Sequence, residues 1–466
     1  METLQRTANR GSVSTGYDID NSCRFEGANN EWVYLDSPTA GDRKTFTVSF
    51  WFKRSESKDA IVIWQGTHGR IRFQSDDIRL RFASGHELET TRKIRDYSAW
   101  YHLVIACDTT QGTAANRVKM YVNGIQETAF ETATYPDEDA ESDLMTTDNL
   151  YISAGDGDFD YSGYIAEFNL IDGTQYAATD FGEFDSTSGI WIPKEFTGTY
   201  GDEGVYLKFD SSGSLGADSS GNSNTFTLNN IAATNQTTDS PTNNFCVVNA
   251  NANHNYDSPS GTLEMGGNRI QTPASGWTTW LCTMPFSAGK WYIEMEDVGT
   301  YCALGILNVD RTHLLYEVSG AEGVAYRTWN SGALARDGNA DVSVGLGAPD
   351  SNNWVWGFWI DMDNGKFSVA NRDGATGTVI DEVDIGDCFD NGRMVIPFLR
   401  HHANTDTNIN FGNGRWRGDN MMGYYDSFNH SGRQDDNGYG NFEYTPNANG
   451  KSYYALCTKN LAEFGQ

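Results

Sequence analysis

Three aspartates in one short loop have a spacing that could hold a metal ion. Asp156, Asp158 and Asp160 alternate with Gly157 and Phe159, so three carboxylates come together in a segment that a glycine allows to bend. Oxygen clusters of this kind are the ligands that Ca²⁺ prefers. The alternative is a hydrated acidic loop without an ion, the usual state of such runs. Calcium is therefore an expectation at this loop, and the sequence requires no other cofactor.

A pair of glutamates could carry hydrolytic chemistry. A retaining glycoside hydrolase needs two carboxyl groups about 5 to 5.5 Å apart, and Glu294 and Glu296 would share one face of a strand. Their neighbours alternate as in any half-buried strand, which explains the pair without catalysis. The sequence contains no Gly-x-Ser-x-Gly, His-Glu-x-x-His or phosphate-binding loop. We therefore predict no catalytic residues and no enzymatic activity, with glycoside hydrolysis as a remaining alternative.

Aromatic side chains could provide a surface for carbohydrate. Rings stack on the C–H faces of sugars, while polar neighbours bond the hydroxyl groups. Trp277 and Trp280 lie in a run rich in Ser, Thr, Gly and Pro, and the further candidates are Trp329, Tyr326 and Trp64. Most tryptophans of a β-sandwich fill its core, so each ring could equally be structural. The sequence predicts carbohydrate binding by some of these five residues.

Four arginines lie on two neighbouring strand-like runs. Arg70 and Arg72 belong to the first run, and Arg79 and Arg81 belong to the second. A two-residue turn at Asp76-Asp77 would place Arg72 directly opposite Arg81. Like charges in that position are destabilising, so an anion is expected against them. Acidic side chains of this chain or of another protomer could supply it, and so could the anionic surface of a partner, either an acidic or sulfated glycan or a protein.

Strands are the elements that must position all of these residues. Apolar and polar side chains alternate over 45–53 and over 118–122, and Asn123-Gly124 after the latter is a strong hairpin signal. A two-residue turn at Asn364-Gly365 would pair Asp363 with Lys366. The 49 glycines and the polar stretches between short apolar runs are typical of all-β proteins. We predict an all-β fold of two tandem antiparallel β-sandwiches.

The order of the strand motifs in the first half resembles that of laminin-G-like (concanavalin A-like) lectin sandwiches. Trp100-Tyr101-His102-Leu103 precedes Tyr121-Val122-Asn123-Gly124, and the run 161–170 resembles the strand that closes such sandwiches. The resemblance covers residues 21–232 and implies a jelly roll that binds ligands, often with calcium at its rim. Laminarinase-like glycoside hydrolases share this fold, which keeps hydrolysis among the alternatives.

The second half resembles a SPRY-like sandwich. Gly289-Lys290-Trp291-Tyr292, the run 341–365 and Asn410-Phe411-Gly412 follow the order of that family, which implies a SPRY-like domain with a C-terminal extension over residues 257–466. Residues 233–256, between the two domains, are predicted to be a linker because Ser, Asn and Thr dominate there. Residues 1–20 are predicted to be a short docking segment.

Two further stretches, 216–222 and 442–461, are similar to segments of marine bacteriophage proteins that join a laminin-G-like lectin to a SPRY-like module. This resemblance implies a non-enzymatic virion-surface protein, in a fibre, a tail or attached to the capsid, that recognises host-surface polysaccharide. The implied partners are other virion proteins and further copies of the chain, with a trimer expected. The alternative is a capsid-decoration or tail component that binds mainly other virion proteins.

Composition narrows the other possibilities. With 33 Lys and Arg against 63 Asp and Glu, the net charge of −30 would repel nucleic acid. No run approaches the ~20 apolar residues that span a bilayer, and the N-terminus lacks an apolar signal region. We therefore expect synthesis in the host cytoplasm without a signal peptide and no membrane insertion. The seven scattered cysteines favour neither a disulfide framework nor a zinc site.

Overall fold

The computed structural model describes residues 16–154, 159–255, 261–271, 277–297, 302–309, 323–327, 333–336, 342–343, 355–371, 383–385, 394–402, 406–413, 433–448 and 450–465. These residues divide into two compact units, with the boundary between Asn243 and Asn244. Both units consist of antiparallel sheets, which confirms the predicted all-β class. No helix among the described residues is long and apolar enough to cross a membrane.

Two eight-stranded sheets form the first unit. The first sheet has the order β10-β9-β8-β3-β13-β1-β18, with β16 also pairing with β13, and the second has the order β11-β7-β6-β5-β4-β12-β2-β17. A separate hairpin joins β14 to β15, and the short helix α1 spans Ala114–Arg117. The strands are β1 (Ser22–Phe25), β2 (Trp32–Leu35), β3 (Thr45–Arg54), β4 (Ala60–Gln65), β5 (Gly69–Gln74), β6 (Asp77–Ala83), β7 (His86–Lys93), β8 (Tyr101–Asp108), β9 (Val118–Val122), β10 (Ile125–Gln126), β11 (Phe130–Thr134), β12 (Leu150–Ile152), β13 (Gly163–Asp172), β14 (Gly182–Phe184), β15 (Trp191–Pro193), β16 (Val205–Leu207), β17 (Thr227–Asn229) and β18 (Gln236–Thr237).

The core of the first unit lies between its two sheets. Phe50 and Phe52 of β3 belong to the same buried cluster as Ile71 and Phe73 of β5, and the Phe52 and Phe73 rings lie 4.9 Å apart. Strand β5 alternates buried and partly exposed residues along its whole length. Because side chains of a strand point alternately to opposite faces, burying Ile71 and Phe73 directs Arg70 and Arg72 to the outer face.

A second buried layer covers the outer face of the first sheet. Here His102 of the Trp-Tyr-His-Leu motif stacks on Trp51, with ring centroids 4.7 Å apart, and on Trp191 of β15, at 6.0 Å. The hairpin of β14 and β15 thus closes this face, and the motif residues are part of the scaffold.

Residues 233–255 of the stretch 233–256, which was predicted to be a linker, are built into the two units. Strand β18 pairs with β1, and the strand Val248–Asn255 belongs to the second unit. The Asp239 carboxylate is fully buried, lies 2.8 Å from the Lys53 ammonium group and accepts a 2.9 Å hydrogen bond from the Trp100 indole. A buried ion pair with an additional hydrogen bond fixes these residues, although their polar composition is typical of a linker.

The described residues of the second unit form two seven-stranded sheets. Their orders are β19-β22-β31-β24-β25-β26-β27 and β20-β21-β32-β23-β28-β29-β30, and helix α2 spans Thr458–Phe464. The strands are β19 (Val248–Asn255), β20 (Thr262–Glu264), β21 (Arg269–Gln271), β22 (Trp277–Cys282), β23 (Lys290–Asp297), β24 (Cys302–Asn308), β25 (Gly323–Arg327), β26 (Ala333–Arg336), β27 (Val342–Ser343), β28 (Val355–Asp361), β29 (Lys366–Asn371), β30 (Val383–Asp384), β31 (Val395–His402) and β32 (Asp406–Asn410).

The hairpin of β28 and β29 has a longer loop than predicted. Asp361, and not Asp363, pairs with Lys366, so four residues form the connection. The Asp361 carboxylate accepts hydrogen bonds from the backbone N–H and the side-chain amide of Asn364, each 2.9–3.0 Å long. This local capping stabilises the longer loop over the two-residue turn that the Asn-Gly pair predicts.

Candidate functional site

The arginine hairpin of β5 and β6 has a different register from the predicted one. Ser75 and Asp76 have φ values of 51° and 68°, the two successive positive values of a type I′ turn. The turn is therefore at Ser75-Asp76, and Arg72 faces Arg79 while Arg70 faces Arg81. Asp77, predicted to be in the turn, begins β6 instead. The like-charge juxtaposition inferred from the sequence is present, with the partners exchanged.

Three aromatic rings form a line across the outer face of the second sheet. Tyr34, Tyr151 and Trp64 are register partners on the adjacent strands β2, β12 and β4. Each pair of neighbouring rings has centroids 5.6 Å apart and interplanar angles of 26–28°. All three side chains are partly exposed. We call Tyr34, Tyr151 and Trp64 the aromatic row.

The arginines continue the same line. Arg70 is the register partner of Trp64, and its guanidinium carbon lies 5.6 Å from the centre of the Trp64 ring. Arg81 is next on β6, followed by Glu87 on β7. The structure therefore places Trp64 and the four arginines, which the sequence suggested for separate reasons, side by side on one sheet face.

The charges on this face are unevenly compensated. Arg79 contacts the carboxylates of Glu87 and Glu89, the latter at 3.3 Å. Within the described residues, Arg72 and Arg81 have no carboxylate within 4.0 Å. Burial, and next the charge of Arg79, lower the pKa of Arg72. In the described part of the chain these two guanidinium groups thus have no direct acidic contact, and the charges of Glu87 and Asp59 act on Arg72 from a greater distance.

The other aromatic candidates occupy different positions. Trp280 and Tyr326 are buried in the core of the second unit, where the Tyr326 ring packs 4.8 Å from that of Trp356. Neither presents its ring to solvent as carbohydrate binding would require, because each is an inward-facing residue of a strand. Trp277 is partly exposed, with the Arg400 guanidinium 4.5 Å from its ring. Trp329 lies outside the described residues.

The predicted calcium site is described in part. Asp156 and Asp158 lie outside the described residues, while Asp160 is buried and forms a backbone bridge with Ile61. Calcium at this loop stays a prediction. A different acidic group, Asp77, Glu89 and Glu131, has carboxylate oxygens within 4.8 Å of one another. The Lys93 ammonium group lies among them, 2.5 Å from Asp77 and 3.7 Å from Glu131, and compensates their charge.

The glutamate pair of β23 anchors the chain. Glu294 is fully buried and accepts hydrogen bonds from the backbone N–H groups of Glu443 and Tyr444, at 2.8 and 2.7 Å. Burial raises the pKa of Glu294 to about 7. Glu296 accepts a 2.9 Å hydrogen bond from the Asn408 amide. The Glu294 carboxylate therefore fixes residues 443–444 against β23 and is itself buried.

A groove of about 350 Å³ lies in the second unit beside the stacked rings of Tyr454 and Phe464. Its two lysines already have acidic partners. Lys290 contacts Asp363 at 2.9 Å, and Lys451 contacts Asp361, outside the groove lining, at 3.2 Å. The groove therefore offers less uncompensated charge than the arginines of the first unit.

Comparison with known families supports the assignment of the first unit. Residues 26–178 match the family model described as the concanavalin A-like lectin/glucanases superfamily. This match confirms the laminin-G-like resemblance over less than half of the chain. It includes all three residues of the aromatic row and the four arginines. It ends before β16, β17 and β18.

The chain is also similar to several solved structures. It is 11% identical to the PSpry domain of TRIM65 (TM-score 0.29; 35% of this chain and 91% of that one) and 13% identical to the SPRY domain of human HERC1 (TM-score 0.25; 34% and 96%). It is 16% identical to a putative carbohydrate binding protein from Bacteroides ovatus (TM-score 0.29; 46% and 60%). Comparison with curated proteins finds no match.

Proposed function

We propose that the chain is a non-enzymatic carbohydrate-binding protein and that the aromatic row of its first unit is the binding surface. The observation that carries the proposal is the line of three partly exposed rings, each 5.6 Å from the next. The stacked rings form a continuous, partly exposed apolar strip, against which the C–H groups of successive sugar units could pack. The Asn149 amide lies 3.3 Å from the Tyr151 hydroxyl, so hydrogen-bonding groups for sugar hydroxyls lie beside the rings.

The direction of the row favours an extended ligand. Its three residues lie on adjacent strands, which are spaced ~4.8 Å apart, so the row runs perpendicular to the strands. A polysaccharide would cross the sheet and contact one strand after another. The concanavalin A-like match over these residues supports this use of the fold, although fold alone does not establish a site.

Removing a ring from the row tests the proposal. We expect Trp64→Ala and Tyr151→Ala each to weaken polysaccharide binding about tenfold, because losing one stacked ring costs about 1.5 kcal/mol. The control is Phe184→Ala, an exposed ring on the separate β14–β15 hairpin. Glycan arrays would identify a ligand, and calorimetry with the full chain would compare the variants after thermal unfolding has verified their folding.

Two outcomes would contradict the proposal. Equal affinities for the wild-type chain and for both row variants would show that the row is not the binding surface. Release of reducing sugars from the bound polysaccharide would favour the hydrolase alternative. Binding through the row requires no cofactor.

We further propose, from the sequence resemblance of 216–222 and 442–461, that the chain acts at a bacteriophage virion surface as a homotrimer. Other virion proteins would be its partners, and host-surface polysaccharide would be the ligand of the row. Cryo-EM of purified particles of the bacteriophage that encodes the chain tests this proposal. A map of the particle shows whether the chain is present, where it lies and in how many copies. Particles that lack the chain would contradict the proposal while leaving carbohydrate binding untouched.

A further inference from the structure

We infer that the polysaccharide bound by the first unit is acidic, with sulfate or carboxylate groups that lie over Arg72 and Arg81. This inference rests on the proposed function and specifies the class of ligand.

The arginines are part of the same surface as the rings. Tyr34, Tyr151, Trp64, Arg70 and Arg81 are successive register partners on five adjacent strands. Four strand spacings make the line ~19 Å long. A chain stacked on the aromatic row and continuing in the same direction would therefore reach the arginines without bending.

Trp64 joins the aromatic and cationic halves of the line. The Arg70 guanidinium lies against its ring, an arrangement that orients a planar cation. The Arg70 Nε atom is buried and has no hydrogen-bond partner among the described residues. Ordered cations next to a stacking ring would bind a sugar that carries both an apolar face and an anionic group.

The arginines of this face differ in whether a carboxylate contacts them directly. Glu87 and Glu89 contact Arg79, whereas Arg72 and Arg81 have no carboxylate within 4.0 Å in the described ranges. The acidic charges that act on Arg72, those of Glu87 and Asp59, are more distant. Acidic residues outnumber basic ones 63 to 33 in this chain, so an uncompensated pair on one face is an exception to its overall charge. An anionic ligand would relieve the repulsion between Arg72 and Arg79, which are directly opposite each other.

The chemistry favours a polysaccharide over other anions. Guanidinium groups bind sulfate and carboxylate oxygens in pairs of parallel hydrogen bonds. Single-stranded nucleic acid also combines rings with charge, but it carries a phosphate on every nucleotide and the net charge of −30 would repel it. An acidic polysaccharide with fewer charges per length is repelled less, and its sugar rings suit the aromatic row.

A matched pair of polysaccharides provides the test. The full chain would be titrated with a sulfated galactan and with the same galactan after chemical desulfation, in 0.15 M and 0.5 M NaCl, conditions chosen to change screening. We expect tighter binding of the sulfated form and a loss of that preference at high salt. In the double variant Arg72→Gln/Arg81→Gln, affinity for the sulfated form should fall about tenfold, with no change for the desulfated form.

The control changes the net charge equally at positions off the row. Lys44→Gln/Lys119→Gln removes two positive charges from the segment before β3 and from β9, and it should leave both affinities unchanged. Equal loss in both double variants would mean a general charge effect and overturn the inference. Tighter binding of oligonucleotide than of sulfated galactan would also overturn it.

The two proposals fail in different ways. If Trp64→Ala weakens binding of both galactans while the arginine variant changes neither, carbohydrate binding stands and its acidic specificity is wrong. If Trp64→Ala changes neither galactan, the row itself is not the binding surface.

Discussion

At the scale of the residue, His102 shows how the structure uses a polar side chain as part of a core. The Trp191 indole donates a 3.1 Å hydrogen bond to His102 Nδ1. Since an indole N–H can only donate, Nδ1 accepts, and Nε2–H donates to the Ser49 hydroxyl at 2.9 Å. Burial lowers the pKa of His102 to about 3. The imidazole is therefore neutral in the folded protein, and its two nitrogens have fixed roles.

This lowered pKa predicts a loss of stability in acid. The unfolded chain gains a proton on this residue near pH 6.5, whereas the folded chain gains it only near pH 3. Its contribution is thus complete above pH 6.5 and declines as pH falls toward 3, by up to ~1.4 kcal/mol per pH unit. Urea unfolding of the full chain at pH 7 and pH 5 should show a smaller difference for His102→Gln than for the wild type.

The control for this prediction is His86→Gln, a partly exposed histidine that contacts the Tyr135 carbonyl. It should retain the wild-type dependence on pH. A pH dependence in His102→Gln identical to that of the wild type would show that the imidazole takes up its proton in the folded state.

At the scale of the element, one ion pair fixes the return of the chain to the first sheet. Lys53 of β3 and Asp239, which follows β18, are both fully buried. Removing one charge would break this ion pair in a buried environment. We expect Asp239→Asn to destabilise the first unit by about 3–5 kcal/mol.

Asp139→Asn is the matched control, because Asp139 forms an exposed ion pair with Lys44 at 3.1 Å. Its loss should cost less than about 1 kcal/mol. Denaturant unfolding of both variants measures the difference. Similar free energies for the two variants would mean that the buried pair contributes no more than a surface pair.

Individual strands could be predicted where the pattern of neighbouring residues determines them. Alternation over 45–53 and 118–122 correctly indicated β3 and β9, whose apolar residues are buried. Hairpin registers were not predictable, since they depend on which residues adopt positive φ. Ser75 does so with few local cues, and Asp361 stabilises a longer loop than the Asn-Gly pair indicates. The alternation of apolar and polar residues could also have indicated the site, because Tyr34 and Tyr151 are at outward positions between buried neighbours.

At the scale of the whole molecule, composition predicted the all-β class, and the resemblance of the strand motifs to two families predicted two sandwiches. The residues of the site came from distant parts of the sequence. Tyr34, Trp64 and Tyr151 become neighbours only because β12 is inserted between β2 and β4. The alternation of apolar and polar residues along a strand does not indicate which distant strand it pairs with. The second unit shows the complementary error, because Trp280, which lies in a polar run, and Tyr326 were both candidates for carbohydrate binding and are buried.

The pairing of β1 with β18 has a consequence for how the first unit can be combined with other proteins. Ser22 and Thr237 are directly opposite each other, so the chain enters and leaves this fold through neighbouring strands about 5 Å apart. A fold with adjacent ends can be inserted into a surface loop of an unrelated protein without separating the flanking residues of that loop. The first unit is thus suited to insertion into another protein as a complete domain, provided that the inserted segment extends past the family match to include β18.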